Sequence, residues 1–253
     1  MAARRIVSLV PSTTESVCAL GAADRLVGCT RYCIEPAAEL AAVPRIGGTK
    51  NPSRERIAAL APDLVLGNAE ENRAEDLQWL RERFPLLVHT PTTVVEAAAA
   101  LRELAAALDA SEVLVPFLLR VEAQLAAAAA AHLGLPPVRV FYAVWAKPWM
   151  GVARGTFVHD VLRCLGAVNV TADASSRYPE VDPAALAGCT DLVLLPDEPW
   201  EFGDADVAEL EAAATFGRAR LLRCSGRDFC WHGTAMADGL GRAAALLQRA
   251  RAR

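Results

Sequence analysis

The amino-acid sequence predicts an α/β protein of two Rossmann-like lobes, each with a parallel sheet, joined by one long backbone helix. Short apolar runs alternate with helical segments in both halves of the chain, which is typical of parallel sheets covered on both faces. Between the halves, residues 111–132 have the pattern of a single helix, roughly 33 Å long. The predicted boundaries are an N-terminal α/β lobe over residues 1–108, a backbone-helix linker over 109–137 and a C-terminal α/β lobe over 138–253.

In the N-terminal half, the first predicted strand is the β-branched run Ile6–Val10, which ends at Pro11. Ser12 and Glu15 have the spacing of a capping box, so a helix is expected that runs to Leu20 and is ended by Gly21, which readily adopts the left-handed conformation. The remaining predicted elements are an extended segment at 26–29, a helix starting at Asn51-Pro52, strands at 64–66 and 86–89, and a helix starting with a second capping box at Thr93 and Glu96.

The C-terminal half follows the same alternation. Pro116 falls in the first turns of the long helix, and Gly134–Pro137 ends that helix. The predicted elements after it are strands at 138–144, 168–170, 192–195 and 219–222, which alternate with helices at 156–165, 183–187, 205–214 and from about 239 onward.

Two sequence motifs occur once in each half and in the same order. Ala19–Ala22 resembles Cys164–Ala167. Ala59–Leu66 resembles residues 185–194, which contain a two-residue insertion after Ala187. Chance explains either match alone in alanine- and leucine-rich sequence, but two matches in one order favour an internal duplication. Two such lobes are expected to border a cleft at the carboxyl ends of their strands, where open α/β sheets bind ligands.

Composition excludes several classes of protein. The 253 residues are 53% hydrophobic, which is too apolar for a disordered chain. The 26 basic and 30 acidic residues give a net charge of −4 without a basic block, so nucleic acid is not an expected partner. Charged residues and Pro136 interrupt the alanine-rich stretches, so insertion into a membrane is not expected either.

The cellular compartment is predicted from the chain start and the cysteines. Arg4 and Arg5 are followed by too short an apolar run for a secretory leader. Seven irregularly spaced cysteines, an odd number, are typical of reduced thiols in a cytosolic protein. The sequence as written therefore predicts a cytoplasmic protein, or a periplasmic one if a leader is missing from this start.

The usual signatures of catalysis are missing from the sequence. There is no GxxxxGK[ST] phosphate loop, no GxSxG nucleophile elbow and no HExxH zinc helix. Cys29 and Cys33 do not have the spacing of a zinc ribbon, and none of the four histidines is paired with a nucleophile by spacing. We therefore predict that the protein is not an enzyme and requires no cofactor.

Aromatic residues make up only 6% of the chain but are concentrated in loops after predicted strands. These residues are Tyr32, Trp145, Trp149, Trp200, Phe202, Phe229 and Trp231. Burial in the core explains any one of them, but loops at one end of both sheets would border the same cleft. Several broad aromatic faces suit a large, flat, partly apolar ligand better than a phosphate or a sugar.

Five segments of the chain resemble one family of proteins. They are Arg5–Glu15, Leu26–Tyr32, Asn51–Leu66, Asn68–Asn72 and Gly151–Asn169. The whole chain resembles the substrate-binding proteins of the cobalamin and ferric-siderophore class of ABC importers, and above all the cobalamin-binding branch. The resemblance implies two Rossmann-like lobes tied by a rigid helix, ligand capture between the lobes with little hinge motion, and no catalysis.

The resemblance also implies a permease partner. In this class a glutamate on each lobe docks onto arginines of the membrane permease. Glu70 and Glu198 are the candidates, because each lies seven residues after an aspartate of the duplicated motif, Asp63 or Asp191. Solvated surface glutamates are the alternative explanation.

The leading hypothesis is a non-catalytic protein that captures a corrinoid or another metal chelate in the cleft for an ABC importer. The candidate ligand-binding residues are Thr13, Arg31, Tyr32, Cys33, Lys50, Trp145, Trp149, Trp231 and His232. The aromatic side chains would cover the macrocycle faces, while Lys50 and Arg31 would meet its amide or carboxylate periphery. A neutral His232 imidazole is a candidate axial ligand to cobalt or iron, although a loop histidine also serves as a plain hydrogen-bonding group.

Two other functions are compatible with the same sequence. One is a cytosolic small-molecule enzyme or ligand sensor on the same two-lobed fold that uses Cys33 or His232. The other is a cytosolic interaction module that has kept the lobes and lost the pocket.

Overall fold

The computed structural model describes residues 2–251, and within them the chain forms two compact units. The N-terminal unit comprises residues 2–91, 95–118 and 232–235. The C-terminal unit comprises residues 92–94, 119–231 and 236–251. Residues 232–235 therefore pack with the N-terminal unit despite their late place in the sequence. The lobe boundaries predicted from the sequence stay a prediction.

The N-terminal unit is built around a four-stranded parallel sheet in the order β2-β1-β3-β4. Along the chain its elements are β1 (Ile6–Ser8), α1 (Pro11–Ala19), a 3-10 turn (Ala23–Arg25), β2 (Leu26–Cys29), α2 (Ala37–Leu40), α3 (Arg54–Ala59), β3 (Leu64–Gly67), α4 (Ala74–Arg81), β4 (Leu86–Val88) and α5 (Val94–Ala107). The long helix α6 (Ser111–His132) follows and contributes its first turns to this unit.

Both faces of this sheet are covered by apolar side chains. Ile6 packs in one buried cluster with Leu64 and Leu66, and Val7 packs in another with Val65. Neighbouring residues of a strand point to opposite faces, so each short strand supplies both clusters. This arrangement explains why the strands are continuous apolar runs in the sequence.

The C-terminal unit has a second four-stranded parallel sheet, in the order β10-β9-β5-β8. Its elements are β5 (Val138–Tyr142), the hairpin strands β6 (Trp145–Ala146) and β7 (Trp149–Met150), α7 (Phe157–Cys164), β8 (Ala167–Asn169), α8 (Pro183–Leu186), β9 (Leu192–Pro196), α9 (Asp204–Ala212), β10 (Arg220–Cys224), α10 (Arg227–Cys230) and α11 (Met236–Arg251). The α/β fold class, with two parallel sheets and one long helix, is confirmed.

The two sheets have the same topology. In each, the first strand of the unit lies between the second and the third, and the fourth strand forms the edge beside the third. The duplicated aspartates have matching roles: the Asp63 carboxylate accepts the backbone N–H of Arg5 at 2.9 Å, and the Asp191 carboxylate accepts that of Arg139 at 2.9 Å. A shared strand order and a shared carboxylate-to-backbone contact are what an internal duplication predicts.

Two predicted helix starts are wrong. Helix α1 begins at Pro11 with Val10 as its N-cap and without a side-chain cap, so Ser12 is inside the helix. A proline at the first helical position has no N–H to satisfy, and it displaces the predicted capping box. Helix α3 begins at Arg54, because the Ser53 hydroxyl accepts the N–H of Arg56 at 3.2 Å, whereas a start at Asn51-Pro52 was expected.

The long helix α6 has the predicted bounds, with Pro116 inside it. Its length and composition alone would allow it to cross a membrane, which the sequence analysis did not expect. That criterion is weak support for a membrane span, because core helices also meet it. Within the C-terminal unit, Arg120 of α6 forms an ion pair with Asp238 of α11 at 3.4 Å.

Candidate functional site

A network of amide side chains joins two loops of the N-terminal unit. Asn68 directly follows β3, and its backbone N–H donates to the Asn72 Oδ1 at 2.9 Å. Asn72 in turn donates from Nδ2 to the carbonyl of Thr49 at 3.0 Å. The neighbouring Lys50 ammonium donates to the carbonyl of Glu70, so the loop before α3 and the loop after β3 are held together. Lys50 is exposed, which leaves its side chain accessible to a solute.

His232 belongs to the same network. Its Nε2 lies 3.3 Å from the Asn68 Nδ2, and the next residues are anchored by the Thr234 N–H, which donates to the Ser16 Oγ at 3.1 Å. Burial lowers the pKa of His232 to about 4, and the charge of His89 lowers it further. The imidazole is therefore neutral at pH 7 and lies within hydrogen-bonding distance of the Asn68 amide; its part in ligand binding stays a prediction.

Arg31 and Tyr32 form an exposed edge beside these loops. The Arg31 N–H donates to the carbonyl of Gly47 at 2.8 Å, and its guanidinium lies 5.1 Å from the centroid of the Tyr32 ring. Tyr32 is 52% exposed. Thr13 is half-buried on the first turn of α1.

Cys33 does not belong to this edge, although it follows Tyr32 directly. Its side chain is fully buried in the core of the N-terminal unit. The prediction that Cys33 contacts a ligand conflicts with this position, because the loop turns at Thr30–Cys33 and points the thiol inward. A thiol buried in this way is also not placed to contact a bulky substrate.

In the C-terminal unit, tryptophans gather around the hairpin β6–β7. Trp145 packs edge-on against Trp200, with ring centroids 4.8 Å apart, and is 37% exposed. Trp149, on the opposite strand, stacks on Phe202 at 5.8 Å and meets Phe216 edge-on at 5.0 Å. Trp149 thus anchors the hairpin to Phe202 and Phe216, while Trp145 leaves part of its side chain exposed to solvent.

The loop aromatics differ in burial more than the sequence analysis expected. Phe202 and Phe229 are both in the core, and Phe229 packs on the fully buried Tyr142 at 5.5 Å. Trp231 is half-buried, with the Arg227 guanidinium 4.1 Å from its ring centroid. Trp200 is half-buried beside Trp145, and these two partly exposed tryptophans form the candidate aromatic surface of the C-terminal unit.

The two candidate docking glutamates are both half-buried. Glu198 accepts a hydrogen bond from the Cys230 thiol at 3.3 Å. Burial raises the pKa of Glu198, and hydrogen bonds from Cys230 and Trp231 partly offset that rise. Glu70 has its N–H bonded to the Asn68 Oδ1 at 2.7 Å.

The sequence analysis did not predict Asn68 and Asn72 as site residues, although the segment Asn68–Asn72 is one of the five that resemble the family. The available signal was a pair of asparagines four residues apart directly after a buried strand, since such side chains hold loops by bonding backbone groups. Within residues 2–251, no group of three or more histidine, cysteine, aspartate or glutamate side chains is arranged to hold a metal ion.

Comparison with known proteins defines the class. The profile of the family described as periplasmic binding protein matches residues 6–189, and the chain belongs to that family. Among individual relatives, the vitamin B12-binding protein of Vibrio parahaemolyticus serotype O3:K6 is 31% identical over 180 residues, which cover 70% of this chain and 64% of the relative. The chain thus matches somewhat less than two thirds of that relative's length.

Solved structures agree on the fold. The periplasmic vitamin B12-binding protein BtuF of Vibrio cholerae superposes with a TM-score of 0.84 at 22% identity, covering 99% of both chains. A periplasmic haem-binding protein from Pseudomonas aeruginosa superposes with a TM-score of 0.82 at 25% identity, covering 98% of this chain and 93% of the other. The two proteins share this fold, and their names give vitamin B12 for the first and haem for the second.

Proposed function

We propose that this protein is a non-catalytic substrate-binding protein that captures a corrinoid or a related metal-chelate macrocycle for an ABC importer. Membership of the periplasmic binding protein family supports the binding role. Relatives named for vitamin B12 and for haem support a large, flat, metal-containing ligand. In this proposal the metal is part of the ligand.

The observation that carries this proposal is the aromatic surface of the C-terminal unit. Trp145 is held edge-on by Trp200 on a hairpin whose other strand is stacked into the core through Trp149. A rigid, partly exposed indole loses little conformational freedom on binding, so covering it with a macrocycle contributes nearly its full apolar transfer free energy.

The N-terminal unit supplies polar and cationic groups suited to the periphery of such a ligand. Lys50 and Arg31 are exposed, and Tyr32 stands beside them with half of its surface open. Corrinoids and porphyrins carry amides or carboxylates at their edges, which ammonium and guanidinium groups bind by charge-assisted hydrogen bonds. His232, neutral and half-buried, is suited to a hydrogen bond or to an axial contact.

A catalytic role is less well supported. The rival hypothesis depends on Cys33 or His232, but Cys33 is fully buried and His232 is bonded to Asn68.

Titration with pure ligands tests the proposal. The purified chain is titrated with cyanocobalamin and, separately, with haemin, while tryptophan fluorescence and heat are recorded. We expect saturable one-to-one binding of at least one macrocycle, with quenching of the surface tryptophans. Absence of binding to either at micromolar concentration, together with turnover of an uncoloured substrate, would favour the enzyme instead.

We also propose that Glu70 and Glu198 dock the protein onto a permease. Docking requires the Glu198 carboxylate to exchange its Cys230 and Trp231 partners for an arginine, which is a stronger, charge-assisted partner. Glu70→Lys combined with Glu198→Lys should abolish co-purification with the ABC permease in membranes of the source organism and leave the ligand Kd unchanged. The matched control is Glu71→Lys with Glu201→Lys, two exposed neighbours. Loss of the complex in the control pair alone would refute this assignment.

The family description favours a periplasmic site of action over the cytoplasmic one expected from the sequence as written. Fractionation of source cells, with immunodetection of this chain beside a cytoplasmic marker, separates the two. Recovery with the cytoplasmic marker would refute the periplasmic proposal and leave the ligand-binding proposal intact.

A further inference from the structure

Two buried thiols of the N-terminal unit lie in one core cluster beneath the loop that carries Arg31 and Tyr32. Cys29 ends β2, Cys33 follows four residues later, and both side chains are fully buried. Both are free thiols, and their sulfurs lie close enough to interact electrostatically. The proposed ligand-binding function uses neither sulfur.

The surroundings of this pair stabilise a negative charge on sulfur. The Thr14 and Thr30 hydroxyls lie 3.1 and 3.2 Å from the Cys33 Sγ. The Arg45 guanidinium donates to the Cys29 Sγ at 2.7 Å and to the Cys33 carbonyl at 2.7 Å. Hydrogen-bond donors and a nearby cation favour the thiolate, which is the reactive form of cysteine.

The two sulfurs are consequently unlike each other and unlike other buried thiols. The interaction with Cys29, together with hydrogen bonds from the Thr14 and Thr30 hydroxyls, lowers the pKa of Cys33 in spite of its burial. The same interaction, together with burial, raises the pKa of Cys29. Cys18 packs in the same core, but burial raises its pKa to about 11, so it serves as an inert reference.

We propose that Cys29 and Cys33 form an oxidation site at which hydrogen peroxide converts the two thiols into a disulfide. The Cys33 thiolate attacks one peroxide oxygen, the O–O bond breaks, and the hydroxide that leaves takes up a proton to become water. Cys29 then loses its proton and attacks the sulfur of the Cys33 sulfenic acid. The S–O bond breaks, and the departing hydroxide takes up that proton as a second water. The pair loses two electrons and two protons, and one peroxide is reduced.

Access of the oxidant requires only local opening. Tyr32 and Ile34, on either side of Cys33, are 52% and 63% exposed, so the segment that carries the thiol lies at the surface of the unit and needs to move little to open it. Peroxide is small enough to enter through such an opening. This proposal is independent of the ligand-binding function, since it concerns the core beneath the loop.

The sequence makes the product easy to identify. Trypsin cleaves after Arg25, Arg31 and Arg45, so Cys29 falls on peptide 26–31 and Cys33 on peptide 32–45, each as the only cysteine. The native protein is treated with hydrogen peroxide, denatured in an alkylating reagent to trap free thiols, digested and analysed by mass spectrometry. We expect the two peptides to be joined, with a loss of two hydrogen atoms, and to separate on reduction.

The variants make the test specific. In Cys29→Ser, peroxide should drive Cys33 to sulfinic acid because no resolving thiol remains, while Cys18→Ser should form the disulfide as readily as the unaltered protein. If Cys29→Ser fails to fold, the peptide pair from the unaltered protein still decides the matter. The proposal is overturned if peptides 26–31 and 32–45 remain alkylated and separate after the exposed Cys189 has been oxidised.

Discussion

Replacement of Trp145 by alanine should weaken macrocycle binding by an amount that the structure allows us to calculate. Trp145 is 37% exposed. For a side chain that buries up to about 250 Å², this leaves about 90 Å² to be covered by a ligand, which at about 25 cal/mol per Å² contributes about 2 kcal/mol. The Kd should therefore rise about 30-fold in Trp145→Ala.

The assay is a calorimetric titration with cyanocobalamin of the unaltered protein, Trp145→Ala and a control. Tyr178→Ala is the matched control, because Tyr178 belongs to the same unit and is 38% exposed but is not among the proposed ligand contacts. Circular dichroism and urea unfolding check that loss of the contact with Trp200 has not unfolded the unit. An unchanged Kd in Trp145→Ala, or an equal loss in Tyr178→Ala, would refute the argument that this indole covers the ligand.

Three further predictions concern the scaffold. Asp191→Asn should lower the free energy of unfolding by about 1–2 kcal/mol in urea at pH 7, whereas Asp173→Asn, which removes an exposed ion pair with Arg154, should change it by less than about 0.5 kcal/mol. The hydrogen bond with Arg139 lowers the pKa of the folded Asp191 carboxyl, so its stabilisation is present above the pKa of the unfolded carboxyl and is lost as the pH falls through the folded value. A stability difference between Asp191→Asn and the unaltered protein that persisted at low pH would contradict this. Because the pKa of His232 is lowered to about 4, stability should fall as the pH drops from about 6.5 to 4, and NMR titration of the imidazole showing protonation near pH 6.5 would refute the prediction. Gly47→Ala should cost about 1–3 kcal/mol, since Gly47 has φ +113° and a Cβ there would lie 2.7 Å from the Asn51 carbonyl, while Gly188→Ala, which meets nothing, should be neutral in the same urea assay.

The sequence carried most of the information needed for the architecture. Helix α6 has the predicted bounds because its alanine-rich segment strongly favours helix and residues 134–137 cannot continue it. The duplicated motifs indicated two units of one topology, and Asp63 and Asp191 hold equivalent backbone groups. The predicted start of α1 was wrong because two helix-start signals lie side by side, and the helix begins at Pro11 and not after Ser12.

The candidate site was harder to predict, because its geometry depends on packing between distant residues. His232 bonds Asn68, 164 residues away in the sequence, and no local pattern specifies that partner. Trp145 and Phe202 both follow predicted strands, but tertiary packing leaves the first partly exposed and buries the second. The position of Cys33 also could not be read from the sequence. One turn of the loop points its thiol into the core, while the side chain of the preceding Tyr32 stays exposed.

The measurement that tests the central claim most directly is native mass spectrometry, combined with an absorption spectrum, of the protein purified from its own cells. The account predicts a one-to-one complex whose added mass and visible absorption belong to a corrinoid or another metal macrocycle, both lost on denaturation. A colourless protein at the mass of the bare chain, obtained from cells that contain such macrocycles, would contradict it.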